Sequence, residues 1–251
     1  MTLAPLQLLL VILVGIFAGT VNTIAGGGSL ITLPALIFLG VPPTVANGTN
    51  RVGVMTQSFT AAASYHRKGM LDWRRASLMV APIAVGTLVG SWASAQLSDD
   101  LFRKVIGVAM LCVLALMLAK PKRWLSDRPA SLPGPLWLRI PALVGVGFYG
   151  GFLCAGVGVV TLITLVLLEG LDLVRGNAIK VALVGMCTLL SLAIFVEQGL
   201  VAWDVAISLA AGSSVGGWLG SRLTMSWGPP LIRWVLIAVV VISSSRLLGI
   251  F

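Results

Sequence analysis

The chain has 251 residues, 58% of them hydrophobic and only 10% charged, with a mean hydropathy of +1.03. A soluble domain carries about a quarter charged residues, so composition excludes one. The apolar runs are continuous rather than alternating, which excludes a membrane β-barrel. The net charge of +9 does not point to nucleic acid. Most basic residues sit in loops between apolar runs, where the positive-inside bias puts them.

In chain order, apolar segments are predicted at 3–24, 29–40, 52–66, 76–97, 105–119, 137–155, 159–168, 181–196, 203–221 and 231–250. Most are long enough to cross about 30 Å of hydrocarbon as helices, so the chain reads as an all-α polytopic protein of the inner membrane. No Lys or Arg precedes Arg51, so residues 1–24 lack the charged start of a signal peptide and read as a first membrane segment. Cys112, Cys154 and Cys187 all lie in apolar segments without metal-ligand spacing and read as small core residues.

Segments 29–40 and 159–168 are too short to span. Each follows a glycine break: Gly26, Gly27 and Gly28 in one case, Gly156-Val157-Gly158 in the other. Glycines inside a membrane helix cost about 1 kcal/mol each against alanine. The backbone groups they free survive at depth only where protein or water surrounds them. A second break is predicted from Pro42 and Pro43 through Asn47, Gly48, Thr49 and Asn50, with a helix starting after the Asn-Gly-Thr triplet.

The two breaks belong to an internal repeat. At a constant offset of 130 residues, as Gly156 stands from Gly26, identical residues recur without gaps: Pro5 and Pro135, Gly28 and Gly158, Gly40 and Gly170. The series continues through Asn47 and Asn177, Gly69 and Gly199, Trp73 and Trp203, Gly86 and Gly216, and Gly90 and Gly220. Residues 1–119 form a first repeat, 120–136 a basic linker and 137–251 a second repeat. Loop charge predicts their relative orientation. Residues 66–75 carry Arg67, Lys68, Arg74 and Arg75 against Asp72, whereas the equivalent 196–205 carries only Glu197 and Asp204. Basic loops stay inside, so equivalent loops face opposite sides and the repeat is inverted, with an odd number of crossings per half. A re-entrant hairpin at each glycine break satisfies that count. The alternative is a parallel repeat of four plain spans per half.

Helix N-termini at the breaks would present free N–H groups to an anion at mid-membrane. The predicted substrate site comprises Asn22, Gly26, Gly27, Gly28, Ser29, Asn47, Thr49, Asn50, Arg51 and Gln57, with Gly156, Gly158, Asn177 and Lys180 from the second half. Asn50, Gln57 and Ser64 lie seven apart on one helical face, with Thr60 beside them. Arg51 and Lys180 each open a span after a break; an anionic guest would offset part of their cost, and local pairing of Lys180 with Glu169 or Asp172 is the competing arrangement. His66, beside Arg67 and Lys68, reads as interfacial. Gly-x-x-x-Gly pairs at Gly15/Gly19, Gly86/Gly90, Gly147/Gly151 and Gly216/Gly220 allow close helix approach, inside one subunit or in a homodimer. No cofactor, metal or nucleotide motif is present in the sequence, and the lone His66 leaves no clustered base for an enzyme.

The G-x-x-x-G-x-x-N-x-x-A-G-G-G-S stretch from Gly15 to Ser29 with Pro34 following, the A-N-G-T-N-R stretch at 46–51, and the basic loop before Trp73 with the Gly86/Gly90 helix carry a resemblance. The chain resembles the TauE/SafE family of sulfite and organosulfonate exporters, over essentially its whole length. That resemblance implies a multi-pass transporter for a small anion, sulfite, a sulfonate or a short carboxylate. The second half departs from the first: Val159 replaces Ser29, Leu162 replaces Thr32, Thr164 replaces Pro34, and Ala178-Ile179 replaces Gly48-Thr49. Two equal sites are therefore not expected. A channel or a cation carrier of similar architecture is the alternative reading.

Overall fold

The computed structural model describes residues 4–119 and 133–247, and among them every regular element is helical. In chain order these are α1 (Pro5–Ala25), α2 (Ser29–Phe38), α3 (Pro43–Arg67), α4 (Trp73–Ala95), α5 (Asp99–Ala119), α6 (Leu136–Phe152), α7 (Val157–Leu167), α8 (Leu173–Glu197) and α9 (Trp203–Leu247). By length and composition α1, α4 and α8 can each cross a membrane. Most of the predicted linker, residues 120–132, lies outside the described residues.

The first glycine break interrupts the helices where the sequence places it, but the second falls earlier than expected: α6 ends at Phe152, the chain is unwound over 153–156 with Cys154 at φ +60°, and Val157 and Gly158 already belong to α7. α1 ends at Ala25 with Gly26 in the left-handed region (φ +85°), and α2 starts at Ser29. Gly156 (φ +69°) caps the start of α7 in the same way. The expected break at 47–49 does not exist. Pro43 occupies the first position of α3, where its fixed φ favours a helix start and its missing N–H costs nothing. Asn47, Gly48 and Thr49 are therefore interior to α3. Gly48 serves close approach instead: a Cβ there would lie 2.0 Å from the Leu200 carbonyl oxygen. α8 likewise starts earlier than expected, at Leu173, because Asp172 caps it by accepting from the N–H groups of Val174 and Arg175. The two last expected segments are two helical stretches within α9, separated at Gly228, whose backbone (φ +62°, ψ −150°) is not helical. Cys112 corrects another expectation. It is exposed on α5, whose buried face is formed by Phe102 and Ile106, whereas Cys154 and Cys187 are buried.

Elements recur at the same spacing as the residues. α3 and α8 begin and end 130 positions apart, from Pro43 to Leu173 and from Arg67 to Glu197. These two helices cross at the centre and run antiparallel. Arg51 near the start of α3 lies 4.3 Å over the Phe195 ring near the end of α8, and Tyr65 near the end of α3 meets Asn177 near the start of α8. Around them, α1 runs parallel to the first part of α9, and α4 parallel to α6. Glycines set both contacts. Cβ atoms on Gly212 and Gly216 would lie 2.1 and 2.4 Å from the Ile12 and Ile16 carbonyl oxygens; on Gly147 and Gly151 they would lie 2.0 and 2.1 Å from those of Ile83 and Thr87. These small-residue stripes are thus occupied within one chain. Gly147→Ala is expected to destabilise the fold by about 1–3 kcal/mol through overpacking, whereas Gly145→Ala, with nothing within 4 Å, costs nothing. Thermal unfolding in detergent measures the difference.

Tryptophans ring the ends. Trp73, Trp92, Trp137, Trp203, Trp227 and Trp234 are all exposed, as interface anchors are. His66 belongs to this belt: its Nδ1 accepts from the Trp73 indole N–H at 3.0 Å.

Candidate functional site

The unwound stretch after α1 is completely buried and is held by its own neighbours. The Gly28 N–H donates to Asn22 Oδ1 at 3.2 Å, and the Gly26 N–H donates to the Asn22 carbonyl at 2.8 Å. Gly28 lies so close to α1 that a Cβ would sit 2.1 Å from the Ala18 carbonyl oxygen. α2 therefore starts alongside the last turns of α1 rather than continuing beyond them. The two breaks also meet each other. A Cβ on Gly26 would lie 2.2 Å from the Gly158 carbonyl carbon, and one on Gly158 would lie 2.4 Å from Gly26 Cα.

Beside this junction is a small polar cavity between α1, α2, α3 and α9, lined by Asn22, Gly28, Ser29, Thr32, Asn50, Gln57 and Ser213 among others. Asn50 organises it. Its amide nitrogen donates to Ser29 Oγ at 3.2 Å, and its carbonyl oxygen accepts from Thr32 Oγ1 at 2.5 Å. About 10 Å³ is open to the centre of a water-sized sphere. That is room for roughly one water, so a polyatomic guest requires the helices to part.

The cations flank the junction without lining the cavity. Arg51 is fully buried; its guanidinium donates to the carbonyls of Gly150 (3.1 Å) and Gly151 (2.5 Å) in the last turn of α6. Lys180 is 1% exposed, and its ammonium donates to the carbonyls of Asn22 (3.0 Å) and Thr23 (3.1 Å) in the last turn of α1. Each cation thus sits at the negative end of a helix from the other half of the chain. Lys180 does not pair with Glu169 or Asp172. Glu169, the one buried acidic residue among the described residues, is bound by Arg139, and Asp172 caps α8.

Three other predicted residues serve the frame. Asn47 donates to Ser94 Oγ and the Phe152 carbonyl, Asn177 donates to the Thr23 carbonyl and Tyr65 Oη, and Thr49 Oγ1 accepts from the Ala202 N–H. Gly27 is buried within the break, and Gly156 shapes the turn into α7. Thr32 and Ser213 were not among the predicted residues. Thr32 was detectable, because it stands three positions after Ser29 on the same face of an apolar helix. Ser213 is one of two serines in a small-residue stretch, and its spacing gives no sign of which way it points.

An all-helical, multi-pass chain that buries unwound backbone, amides and two cations away from lipid has the build of a solute transporter, not of an enzyme. The chain belongs to the TauE/SafE sulfite exporter family: the model of that family, described as "Sulfite exporter TauE/SafE", matches residues 11–247. The chain is similar to the probable membrane transporter protein YfcA of Escherichia coli (strain K12), 30% identical over 247 residues, 98% of this chain and 91% of that one. It is 32% identical over 222 residues to a probable membrane transporter protein of Haemophilus influenzae, covering 88% and 86% of the two chains. It is also similar to the probable membrane transporter protein YunE of Bacillus subtilis (strain 168), 22% identical over 272 residues, covering 98% and 100% of the two chains. No solved structure matches. The protein is a multi-pass transporter of the inner membrane.

Proposed function

We propose that this transporter carries a small anion, sulfite, an organosulfonate or a short carboxylate, bound where the two glycine breaks meet. The carrying observation is the pair of buried cations. Arg51 and Lys180 are fully or almost fully buried and sit on carbonyls, not on carboxylates. A cation at the bilayer centre costs about 2.5–3.5 kcal/mol on insertion scales. A negative guest in the adjoining cavity offsets that cost, whereas a cationic cargo would add to it. The amides of Asn22, Asn50 and Gln57, the hydroxyls of Ser29 and Thr32, and the N–H groups at the start of α2 replace the anion's water.

The cradle sits between two oppositely oriented repeats, 1–119 and 137–251, joined by the 120–136 linker. Support for inversion comes from the antiparallel crossing of α3 and α8, because a two-fold axis that relates antiparallel helices lies perpendicular to them. Each glycine break then tips a re-entrant hairpin: α2 returns toward the face from which α1 entered, and α7 does the same from the opposite face. Opening proceeds by rocking of one repeat against the other, which parts the α1, α3 and α9 walls and gives access from alternate sides.

Purified protein in proteoliposomes tests this. Asn50→Ala removes both side-chain bonds that organise the cavity and is expected to lower flux of the transported anion about tenfold, the equivalent of roughly 1.4 kcal/mol. Gln57→Ala is expected to act in the same direction. Sulfite, sulfonates, thiosulfate and short carboxylates are compared as substrates. Unchanged flux in both variants would remove the cavity from the transport path.

A further inference from the structure

A second concave surface lies at the other end of α3, on either side of Tyr65 in the chain. It is an open groove of about 710 Å³ between the end of α3 and the middle of α9. Arg67, Lys68 and Arg222 line it, and its lining residues include no carboxylate. Arg222 lies 4.1 Å over the face of the Trp218 indole, which holds its charge at the groove wall. Nearby acidic charge is already taken, since Asp72 pairs with Arg75. Met70, Met225 and Trp218 supply a soft apolar wall, and Ser64 and Ser226 complete the lining. Exposed Trp73 and Trp227 stand on the elements that follow or continue these walls, so the groove opens at the level of the membrane interface.

From this pairing of three cations with an apolar wall at an interface, we propose that the groove is a docking site for the headgroup of an anionic phospholipid. The phosphodiester sits among Arg67, Lys68 and Arg222, and the glycerol and upper acyl carbons lie against the thioethers and the indole. A free oxyanion fits the charge but leaves the apolar wall uncovered and most of the volume empty. The basic end of the molecule faces the cytoplasmic leaflet under the positive-inside rule, so the lipid comes from that leaflet. The lipid is a ligand separate from the transported anion.

The test is thermal unfolding of the full chain in a neutral detergent, with phosphatidylglycerol, phosphatidylcholine or inorganic phosphate added at equal concentration. Phosphatidylglycerol is expected to raise Tm by several degrees, and the other two are expected not to. The triple variant Arg67→Gln, Lys68→Gln, Arg222→Gln is expected to lose that shift. A control variant, Arg103→Gln with Lys104→Gln, neutralises exposed cations on α5 near the opposite end and is expected to keep it. Equal shifts with both lipids, or a shift that survives the triple variant, overturn the proposal. So does a shift from inorganic phosphate as large as that from phosphatidylglycerol. If the triple variant does not fold, Arg222→Gln alone is read in its place, with a halved or smaller shift expected and an unchanged one counting against the site.

Discussion

Gly26→Ala is expected to abolish transport and to lower stability by about 3 kcal/mol or more. Two independent effects act at this position. The backbone is left-handed, with φ +85°, which costs an L-residue roughly 1–2 kcal/mol. The new methyl would also lie 2.2–2.5 Å from Gly158 and Val159 backbone atoms, which cannot swing aside as a side chain can. Gly69→Ala separates the two terms. Gly69 has φ +67°, but a Cβ there meets nothing within 4 Å. It should show the conformational cost alone, with flux retained. Thermal unfolding and proteoliposome flux on both variants decide the matter. If the two behave alike, the meeting of the breaks is not part of the working protein.

Lys180→Met is expected to keep the fold and lose at least about tenfold in anion flux. The fold survives because the carbonyls that Lys180 binds have other partners: Asn22 O also accepts from the Gly26 N–H, and Thr23 O from Asn177 Nδ2. Methionine matches the length and apolar stem of lysine, so packing is preserved. What disappears is positive charge beside the cavity. A variant that stays stable and transports the anion with unchanged KM and kcat would show that the buried cation braces α1 and nothing more. Arg51→Met is expected to lose flux as well, but with a larger stability cost, because it removes the donors to Gly150 O and Gly151 O and the contact with Phe195.

Much of the local structure was readable from residue order. The Gly26–Gly28 and Gly156–Gly158 interruptions stood out because three glycines in one apolar run, and two flanking Val157 in the other, have no cheap place in lipid. Membership of the transporter family was readable from the same stretch. Helix starts were harder. The Asn47-Gly48-Thr49 triplet looks like a cap, yet Pro43 four residues earlier had already begun the helix, and Gly48 is small because the Leu200 carbonyl lies against it. That contact joins positions far apart in the chain, so no local pattern announces it.

Side-chain direction was the least readable property. Asn47, Thr49, Asn50 and Arg51 follow one another almost without interval, and all are buried, but only Asn50 reaches the cavity. Successive residues on a helix point about 100° apart, so which of the four faces the guest depends on which neighbour each one meets. By itself the sequence determined that the chain is helical, lies in the membrane and breaks its helices at two glycine clusters, because hydrophobicity and backbone freedom are local properties. Only the tertiary structure decided that the two breaks abut, that α3 crosses α8 antiparallel, and that each buried cation caps a helix of the other half of the chain. Those are contacts between residues about a hundred or more positions apart, and their energies depend on proximity that composition does not encode.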